Sequence, residues 1–221
     1  PAEAKAKVQQ FAASLRKQGI GYAHPTMLDA KSQSDVWETR KLGLGLISNV
    51  RGPVKGQAFV EDACVPIENL AEYIGRLKRT CAELGVGHSM YAHASVGVIH
   101  FRPALDLHLE DHRLKMKQIA DAAFEMVMEY GGVFSGEHGD GQLRGEFVSR
   151  QFGPQLYEAF RQVKRTFDPD NLMNPGKIVD APSMIDPTSL RYGTQYQIHE
   201  ISTQFQYRSQ DGFRLAVEQC N

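Results

Sequence analysis

Three histidines in the sequence, His93, His100 and His138, stand beside glycines and predicted turns, and Glu137 immediately precedes His138. Two imidazoles and a carboxylate with an open coordination position are the donor set of a catalytic Zn²⁺ or a similar divalent ion. His93 and His100 are seven residues apart, so on one continuous strand their side chains would point to opposite faces. A turn at Gly97 would bring them to one side, whereas the alternative is a pair of hydrogen-bonded strand residues.

The segment Gly136–Gly141 is rich in glycine and carries Glu137 and His138. It lacks the Lys-Ser/Thr of a P-loop and the spacing of G-x-G-x-x-G, so a phosphate-binding loop is excluded. Glycines on both sides of an acid and a base favour a backbone thin enough for a flat ligand to approach. An ordinary glycine turn is the alternative.

The hydrophobic pattern predicts helices that alternate with short strands, and these elements must position the histidines. The pattern predicts an α+β fold, with helices packed on one face of an antiparallel sheet. We expect one domain over 1–180 and a linker or tail over 181–221, where Ser, Thr, Gln and Tyr dominate. The predicted helices are 2–17, 34–44, 67–84, 109–130, 146–152 and 154–167, and the predicted strands are 57–65, two within 89–102, and 133–135.

The composition of the 221 residues limits the function classes. A formal net charge of -1 gives no electrostatic reason to expect nucleic acid as a partner. No apolar run approaches the roughly 20 residues of a transmembrane segment. Three widely spaced cysteines, Cys64, Cys81 and Cys220, argue against a disulfide framework and predict a reducing, cytoplasmic location.

Four ordered segments resemble one known family. The segment 136–144 resembles the Gly-Glu-His-Gly signature of the FAD-linked oxidase C-terminal domain, which has a ferredoxin-like fold and belongs to the vanillyl-alcohol-oxidase flavoprotein superfamily. That domain occurs in D-lactate dehydrogenase, in D-2-hydroxyglutarate dehydrogenase and in glycolate oxidase. The segments 37–41, 59–66 and 167–177 are similar to its Trp-x-x-Arg, Glu-Asp-x-x-Val-Pro and Asn-Pro-Gly-Lys motifs.

The resemblance implies a role for individual residues. It places His93, His100 and Glu137 on the family's metal ligands, with Glu137 also beside the cofactor, and His138 on its proposed catalytic base. Asn174 falls near the flavin edge.

Three cations are implied on the substrate side: Arg40 and Lys55 fall where the family holds the substrate carboxylate, and Arg102 replaces a polar substrate contact. The family's histidine segment also carries an Asp and an Asn where this chain has Val96 and Val98. An additional arginine would favour a second carboxylate or a bulkier acid as substrate.

The implied reaction is oxidation of a small 2-hydroxyacid, of the D-lactate, glycolate or D-2-hydroxyglutarate type, by hydride transfer to FAD. A preceding FAD-binding domain of the same parent chain would hold most of the FAD, so the isolated chain is expected to be inactive. The electron acceptor is not identified by the sequence.

Some relatives join this domain to an iron–sulfur module. We therefore interpret Cys220 as the first cysteine of a 4Fe-4S cluster that continues beyond Asn221 in a longer parent protein peripheral to the inner membrane. A tail cysteine without such a role is the alternative.

Two other function classes remain open. A metal-dependent hydrolase would use the same two histidines and glutamate, with His138 as the base for water, and would act without flavin. A non-catalytic binding domain with a decayed metal site would explain the valines at 96 and 98, and would bind neither metal nor acid.

Overall fold

The computed structural model of the chain describes residues 2–191, 197, 199 and 201–219, without the side chain of Leu44. These residues divide into two units, Pro1–Ile47 and Ser48–Asn221. The first unit contains helix α1 (Ala2–Lys17) and nearly all of helix α2 (Ala30–Ser48). Helix α2 begins four residues earlier than the sequence predicts, because the carboxylate of Asp29 accepts the backbone N–H of Ser32 at 2.9 Å and caps the helix.

The second unit is built around the longest strand, β4 (Val98–Leu105), which pairs antiparallel with each of the other three strands. Those strands are β1 (Lys55–Gly56), β2 (Val60–Cys64) and β3 (His88–His93). The sequence predicts one strand over 57–65, whereas the structure has the shorter strand β2, which is preceded by the separate strand β1. A register shift between Val60 and Ala63 interrupts its pairing with β4.

Helices α3 (Ile67–Glu83) and α4 (Glu110–Glu129) pack together and form the core with one face of this sheet. The side chains of Ile99 and Phe101, which alternate along β4, have no exposed surface and lie in that core. Because strand side chains alternate between faces, Val98, His100 and Arg102 project from the opposite face. The candidate site residues His100 and Arg102 therefore lie on the face of β4 that is opposite to Ile99 and Phe101.

Helix α3 shows how the sequence fixes this packing. Its buried residues, Leu70, Tyr73, Leu77 and Cys81, recur every three or four positions, which places them on one stripe of the helix. Burial of each large apolar side chain contributes about 1.5–3 kcal/mol. The chain leaves the helix through Gly85, whose φ of 66° is unfavourable for other residues.

After α4 the chain returns to the sheet through two isolated bridges, Cys64 with Val133 and Asp62 with Ser135. Apart from the two-residue strand β1, which pairs with the end of β4, the sheet order is 133–135, β2, β4, β3, with α3 and α4 as the two crossover helices. This βαββαβ arrangement is ferredoxin-like. The predicted α+β fold with an antiparallel sheet is confirmed.

Helix α5 (Gly145–Phe167) follows the glycine-rich segment and is broken at Gly153, which has φ 75° and ψ 169° and precedes Pro154. The two helices predicted on either side of this position correspond to its halves. Farther along the chain, Met184 is buried in the core, and the short helix α6 (Phe213–Glu218) is the last element described. Within the part of the chain that is described, no helix has the length and apolarity needed to cross a bilayer.

Candidate active site

The hairpin of β3 and β4 brings His93 and His100 to the same face of the sheet. His93 is paired with Val98, and His100 lies two residues farther along β4, so the two histidines are diagonal neighbours. Their ring centroids are 5.1 Å apart. The hairpin requires Gly97, because its φ is 74° and a Cβ atom there would lie 2.0 Å from the carbonyl oxygen of Val65.

Asp62 positions the segment that carries Glu137 and His138. Its carboxylate accepts the backbone N–H groups of Glu137 at 2.7 Å and His138 at 2.6 Å, and the side chain of Arg144 donates to it as well. The backbone N–H of Gly136 donates to the carbonyl oxygen of Asp62 at 2.9 Å. One fully buried carboxylate on β2 therefore fixes the backbone of two candidate functional residues.

The pKa of Asp62 reflects this arrangement. Burial by itself would raise the pKa, but the hydrogen bonds from the His138 N–H, the Arg144 guanidinium and the Glu137 N–H outweigh it. The pKa of Asp62 consequently lies below its ordinary value. Asp62 is thus an ionised structural acceptor in the folded protein.

His93, His100 and Glu137 form a set of donors that a divalent cation would fit. The two carboxylate oxygens of Glu137 lie 3.8 Å from His93 Nε2 and 3.6 Å from His100 Nε2. One donor atom from each of the three residues lies within 4.8 Å of the others. The side chain of His93 is 46% exposed and that of Glu137 is 36% exposed, so a ligand can reach the set from one side.

A second set of donors, Glu61, His100 and His138, also lies within 4.8 Å. Its carboxylate is already engaged, because Glu61 Oε1 accepts from Arg102 Nη2 at 2.6 Å and both side chains are nearly buried. A cation here would have to compete with that ion pair. The set of His93, His100 and Glu137 is therefore the better candidate metal site, and it leaves His138 free for another role.

Lys55 and Arg102 lie together at a cavity of about 580 Å³. Lys55 is paired with Leu105, at the end of β4 that is distant from His93. Arg102 lies on β4 between the partners of these two residues. The cavity is also lined by His108, Arg191 and Glu218. Its charged lining can hold a carboxylate, and the side chain of Glu218 already places one there, 3.6 Å from His108 Nε2.

The other two predicted site residues lie on separate segments. Arg40 is an exposed residue of α2, in the unit Pro1–Ile47. Asn174 is exposed in the loop after α5 and has a left-handed backbone conformation with φ 48°. That loop is tied to the glycine-rich segment by the Ile178 N–H, which donates to the carbonyl oxygen of Gly141 at 2.8 Å.

The sequence interpretation gave no role to three residues that build this site: Glu61, Asp62 and Arg144. The available signal was a pair of adjacent acids inside an apolar strand, since a buried carboxylate must have partners. Cys220 lies outside the described residues, as does Asn221.

The fold and the donor set define an α+β domain with a candidate divalent-metal site, and comparison with known proteins identifies its family. Residues 1–178 match the family described as FAD linked oxidases, C-terminal domain. The match extends over most of the chain, so this chain belongs to that family, and the resemblance stated from the four motifs is confirmed.

The chain is 41% identical to a D-2-hydroxyglutarate dehydrogenase of Pseudomonas putida over 182 residues, which is 80% of this chain and 18% of that protein. It is also 41% identical to a D-2-hydroxyglutarate dehydrogenase of Escherichia coli, over 67% of this chain and 15% of that protein. A D-lactate dehydrogenase of Archaeoglobus fulgidus is 37% identical over 54% of this chain and 26% of that protein. The chain thus matches less than a third of the length of each of these three relatives.

Proposed function

We propose that this chain is the substrate-side domain of an FAD-dependent dehydrogenase that oxidises a D-2-hydroxyacid, with D-2-hydroxyglutarate as the first substrate to test. The observation that carries the proposal is the convergence of His93, His100 and Glu137, with His138 beside them, in a member of the FAD-linked oxidase family. The two relatives at 41% identity favour D-2-hydroxyglutarate over D-lactate.

The metal site is proposed at His93, His100 and Glu137, whose two nitrogens and one carboxylate suit Zn²⁺. A divalent metal bound there would supply a Lewis acid that lowers the pKa of the substrate's 2-hydroxyl group. Glu137 also lies in the segment proposed to face the flavin. Its backbone N–H is fixed by Asp62, so the carboxylate is presented from a rigid support.

His138 is proposed as the base that takes the proton of the 2-hydroxyl group, and FAD, when bound by its own domain, would supply the acceptor for the hydride of C2. Its side chain is 48% exposed, and its Nε2 lies 3.9 Å from Glu137 Oε2. The proposed base is therefore adjacent to the proposed metal site and still open to a ligand.

The substrate carboxylates are proposed to bind to Lys55 and Arg102, and the role that the resemblance implies for Arg40 stays a prediction. The support for this assignment is that Lys55 and Arg102 line the same cavity. Asn174 is proposed to lie at the flavin edge, as the resemblance implies. Its loop is hydrogen-bonded to the glycine-rich segment, which is proposed to face the flavin.

The alternative of a decayed, non-catalytic site rests on Val96 and Val98. Val96 is 58% exposed on the turn, and Val98 is 4% exposed. Neither valine separates the donor atoms of His93, His100 and Glu137, which remain within 4.8 Å of one another. This geometry supports a functional metal site over a decayed one.

The parent protein is proposed to supply an FAD-binding domain, and the isolated chain is proposed to be inactive without it. The domain boundary near residue 180 and the 4Fe-4S cluster beginning at Cys220 remain predictions, and the electron acceptor is not identified. The cluster and the FAD-binding domain can be checked in the sequence of the parent protein on either side of this chain.

The test is anaerobic reduction of the flavin in the parent protein by D-2-hydroxyglutarate, D-lactate and glycolate, followed by absorbance. We expect bleaching with a D-2-hydroxyacid, and a loss of at least about a hundredfold in rate with His138→Gln. His199→Gln, at an exposed histidine, is the matched control. Hydrolytic activity in the isolated chain without flavin would favour the hydrolase instead. Absence of both metal and acid binding in the parent protein would favour the non-catalytic domain.

A further inference from the structure

The cavity that is lined by Lys55 and Arg102 contains a carboxylate of the chain itself, that of Glu218 on helix α6. The side chain of Glu218 is only 8% exposed. Its Oε1 lies 3.6 Å from His108 Nε2 and 4.0 Å from Arg214 Nε, and it has no hydrogen-bond partner among the described residues. A buried carboxylate is costly unless charges and hydrogen bonds compensate it. The cavity therefore holds a carboxylate whose own hydrogen bonding is incomplete.

The ring of His108, in the same cavity, is held by the turn that follows β4. Asp106 Oδ1 accepts the backbone N–H of His108 at 3.0 Å and lies 2.6 Å from its Nδ1. The backbone N–H of Asp106 donates to Nδ1 of His112 at 2.8 Å, and Arg113 Nη1 donates to the carbonyl oxygen of His108 at 3.1 Å. An ionised carboxylate accepts but cannot donate, so the short contact directs Nδ1–H to Asp106 and turns Nε2 towards the cavity.

The charges around the cavity favour an anionic ligand. Lys55 and Arg191 both line it, and Lys55 forms no ion pair within the described part of the chain. The charge of Arg102 is already matched by Glu61, which it contacts at 2.6 Å. A carboxylate that enters the cavity would meet more positive than negative charge. It would also favour the charged form of His108, which donates from both ring nitrogens.

The side chain of Glu218 has the chemistry of one end of a five-carbon diacid. It consists of two methylene groups and a carboxylate, which is also the part of 2-hydroxyglutarate beyond the carbon that bears the hydroxyl group. Arg102 lies two residues from His100 on the same face of β4, about 7 Å along the strand. The second carboxylate of such a diacid can therefore reach the cavity from the candidate metal site, whereas lactate has no second carboxylate.

We propose that His108 is a specificity-determining residue, which binds the second carboxylate of a dicarboxylic 2-hydroxyacid together with Lys55, and that Glu218 occupies this place when no acid is bound. Asp106 is a positioning residue, because it holds the ring with Nε2 towards the cavity. Charge-assisted hydrogen bonds of this kind are roughly twice as strong as those between neutral groups. The inference rests on the proposed function for the reaction, and it adds the residue that distinguishes a diacid from a monoacid.

The first experiment is an NMR titration of the metal-free, full-length chain with glutarate and with butyrate. We expect glutarate to move the ring signals of His108, assigned with His108→Asn, and to bind at least about tenfold more tightly than butyrate. His108→Asn keeps a donor towards Asp106 but lacks Nε2, so its glutarate affinity should fall about tenfold. His108→Gln, with a donor near the position of Nε2, should lose less. His199→Gln, at an exposed histidine, is the control.

The role of Glu218 is tested with Glu218→Gln, which keeps the shape of the side chain and removes its charge. Glutarate should bind this variant at least about fivefold more tightly, because the competing carboxylate is gone. Glu83→Gln, at an exposed glutamate of α3, should leave the affinity unchanged. Glutarate that moves the His108 signals neither in the wild type nor in Glu218→Gln would overturn the proposal, even if His108→Asn does not fold. Equal affinities for glutarate and butyrate would overturn it as well.

The second experiment separates this inference from the proposed function. In the parent protein, His108→Asn should raise the KM for D-2-hydroxyglutarate about tenfold and leave the KM for D-lactate unchanged, because only the diacid has the second carboxylate. Oxidation of D-2-hydroxyglutarate with an unchanged KM would refute the role of His108 and support the proposed function. Binding of glutarate at His108 in a parent protein that oxidises no D-2-hydroxyacid would support the site and refute the function.

Discussion

Arg144 donates to the carboxylate of Asp62 across 82 positions of sequence, in an ion pair that is almost completely buried. The guanidinium also donates to the carbonyl oxygen of Gly139, at 2.5 Å. Arg144 thus holds the C-terminal end of the loop that carries Glu137 and His138, and Asp62 holds its N-terminal end. The pair connects strand β2 to the beginning of α5 through the candidate site.

Removal of either partner of this ion pair should destabilise the protein strongly. In Arg144→Met or Asp62→Ala, the remaining buried charge loses its partner, and we expect a loss of about 3–5 kcal/mol in the free energy of unfolding. Urea denaturation measures this. Arg165→Met is the matched control, because Arg165 pairs with Glu158 at the exposed surface and should cost less than about 1 kcal/mol. Equal losses in the two arginine variants would contradict the structural role of Arg144.

The two candidate donor sets can be separated by their unshared residues. His93→Ala and Glu137→Gln should each weaken Zn²⁺ binding at least about tenfold, because each removes a proposed ligand. His138→Gln should change the affinity little. Calorimetric titration of the three variants distinguishes the sets, and a large effect of His138→Gln with none from His93→Ala would assign the metal to the set that contains Glu61.

Gly97→Ala should disturb the hairpin more than an equivalent change at Gly85. Both glycines have positive φ, 74° and 66°, but a Cβ at Gly85 meets nothing within 4 Å. Gly85→Ala should therefore cost about 1 kcal/mol in unfolding free energy for its backbone conformation alone. The collision with Val65 should make the cost of Gly97→Ala at least about twice as large, and Zn²⁺ affinity should fall with it. Similar thermal denaturation midpoints for the two variants would show that the turn tolerates a Cβ.

Cys81 should resist alkylation until the solution is strongly alkaline. Burial raises the pKa of the Cys81 thiol to about 11, and the reactive species is the thiolate. The reaction rate of Cys81 should therefore rise about tenfold for each pH unit between pH 8 and 10, without reaching a plateau. Mass spectrometry after iodoacetamide pulses measures the rate, with partly exposed Cys64 as the internal comparison. A plateau near pH 9 in the native protein would contradict the raised pKa.

Much of the fold could be predicted from periodicity, because α3 and α4 each bury one stripe and end near glycines. The limits of β2 could not, since its register shift depends on pairing with β4, which is distant in sequence. The start of α2 could not be predicted either, because Asp29, Ser34 and Asp35 are all capping residue types in sequence alone.

The candidate site was partly predictable for a similar reason. His93, Gly97 and His100 are local, so a turn between two strands was sufficient to place both histidines on one face. Asp62 is brought to Glu137, and Glu61 to His138, only by the order of strands in the sheet, which hydrophobic patterns do not specify. The contacts that show their importance join residues more than 70 positions apart in the sequence.

The register of the β3–β4 hairpin determines which sequence changes can alter the chemistry of this domain without displacing the site. Insertion or deletion of one residue in β4 between Val98 and His100 would turn that histidine towards the helices, while His93 would keep its direction. Exchange of side chains at positions 98, 100 and 102 preserves the register, because all three stay on one face. Many proteins acquire new activities by lengthening loops. In this domain we instead expect activities to differ through substitutions at alternate positions of β4, with no change in the length of the strand.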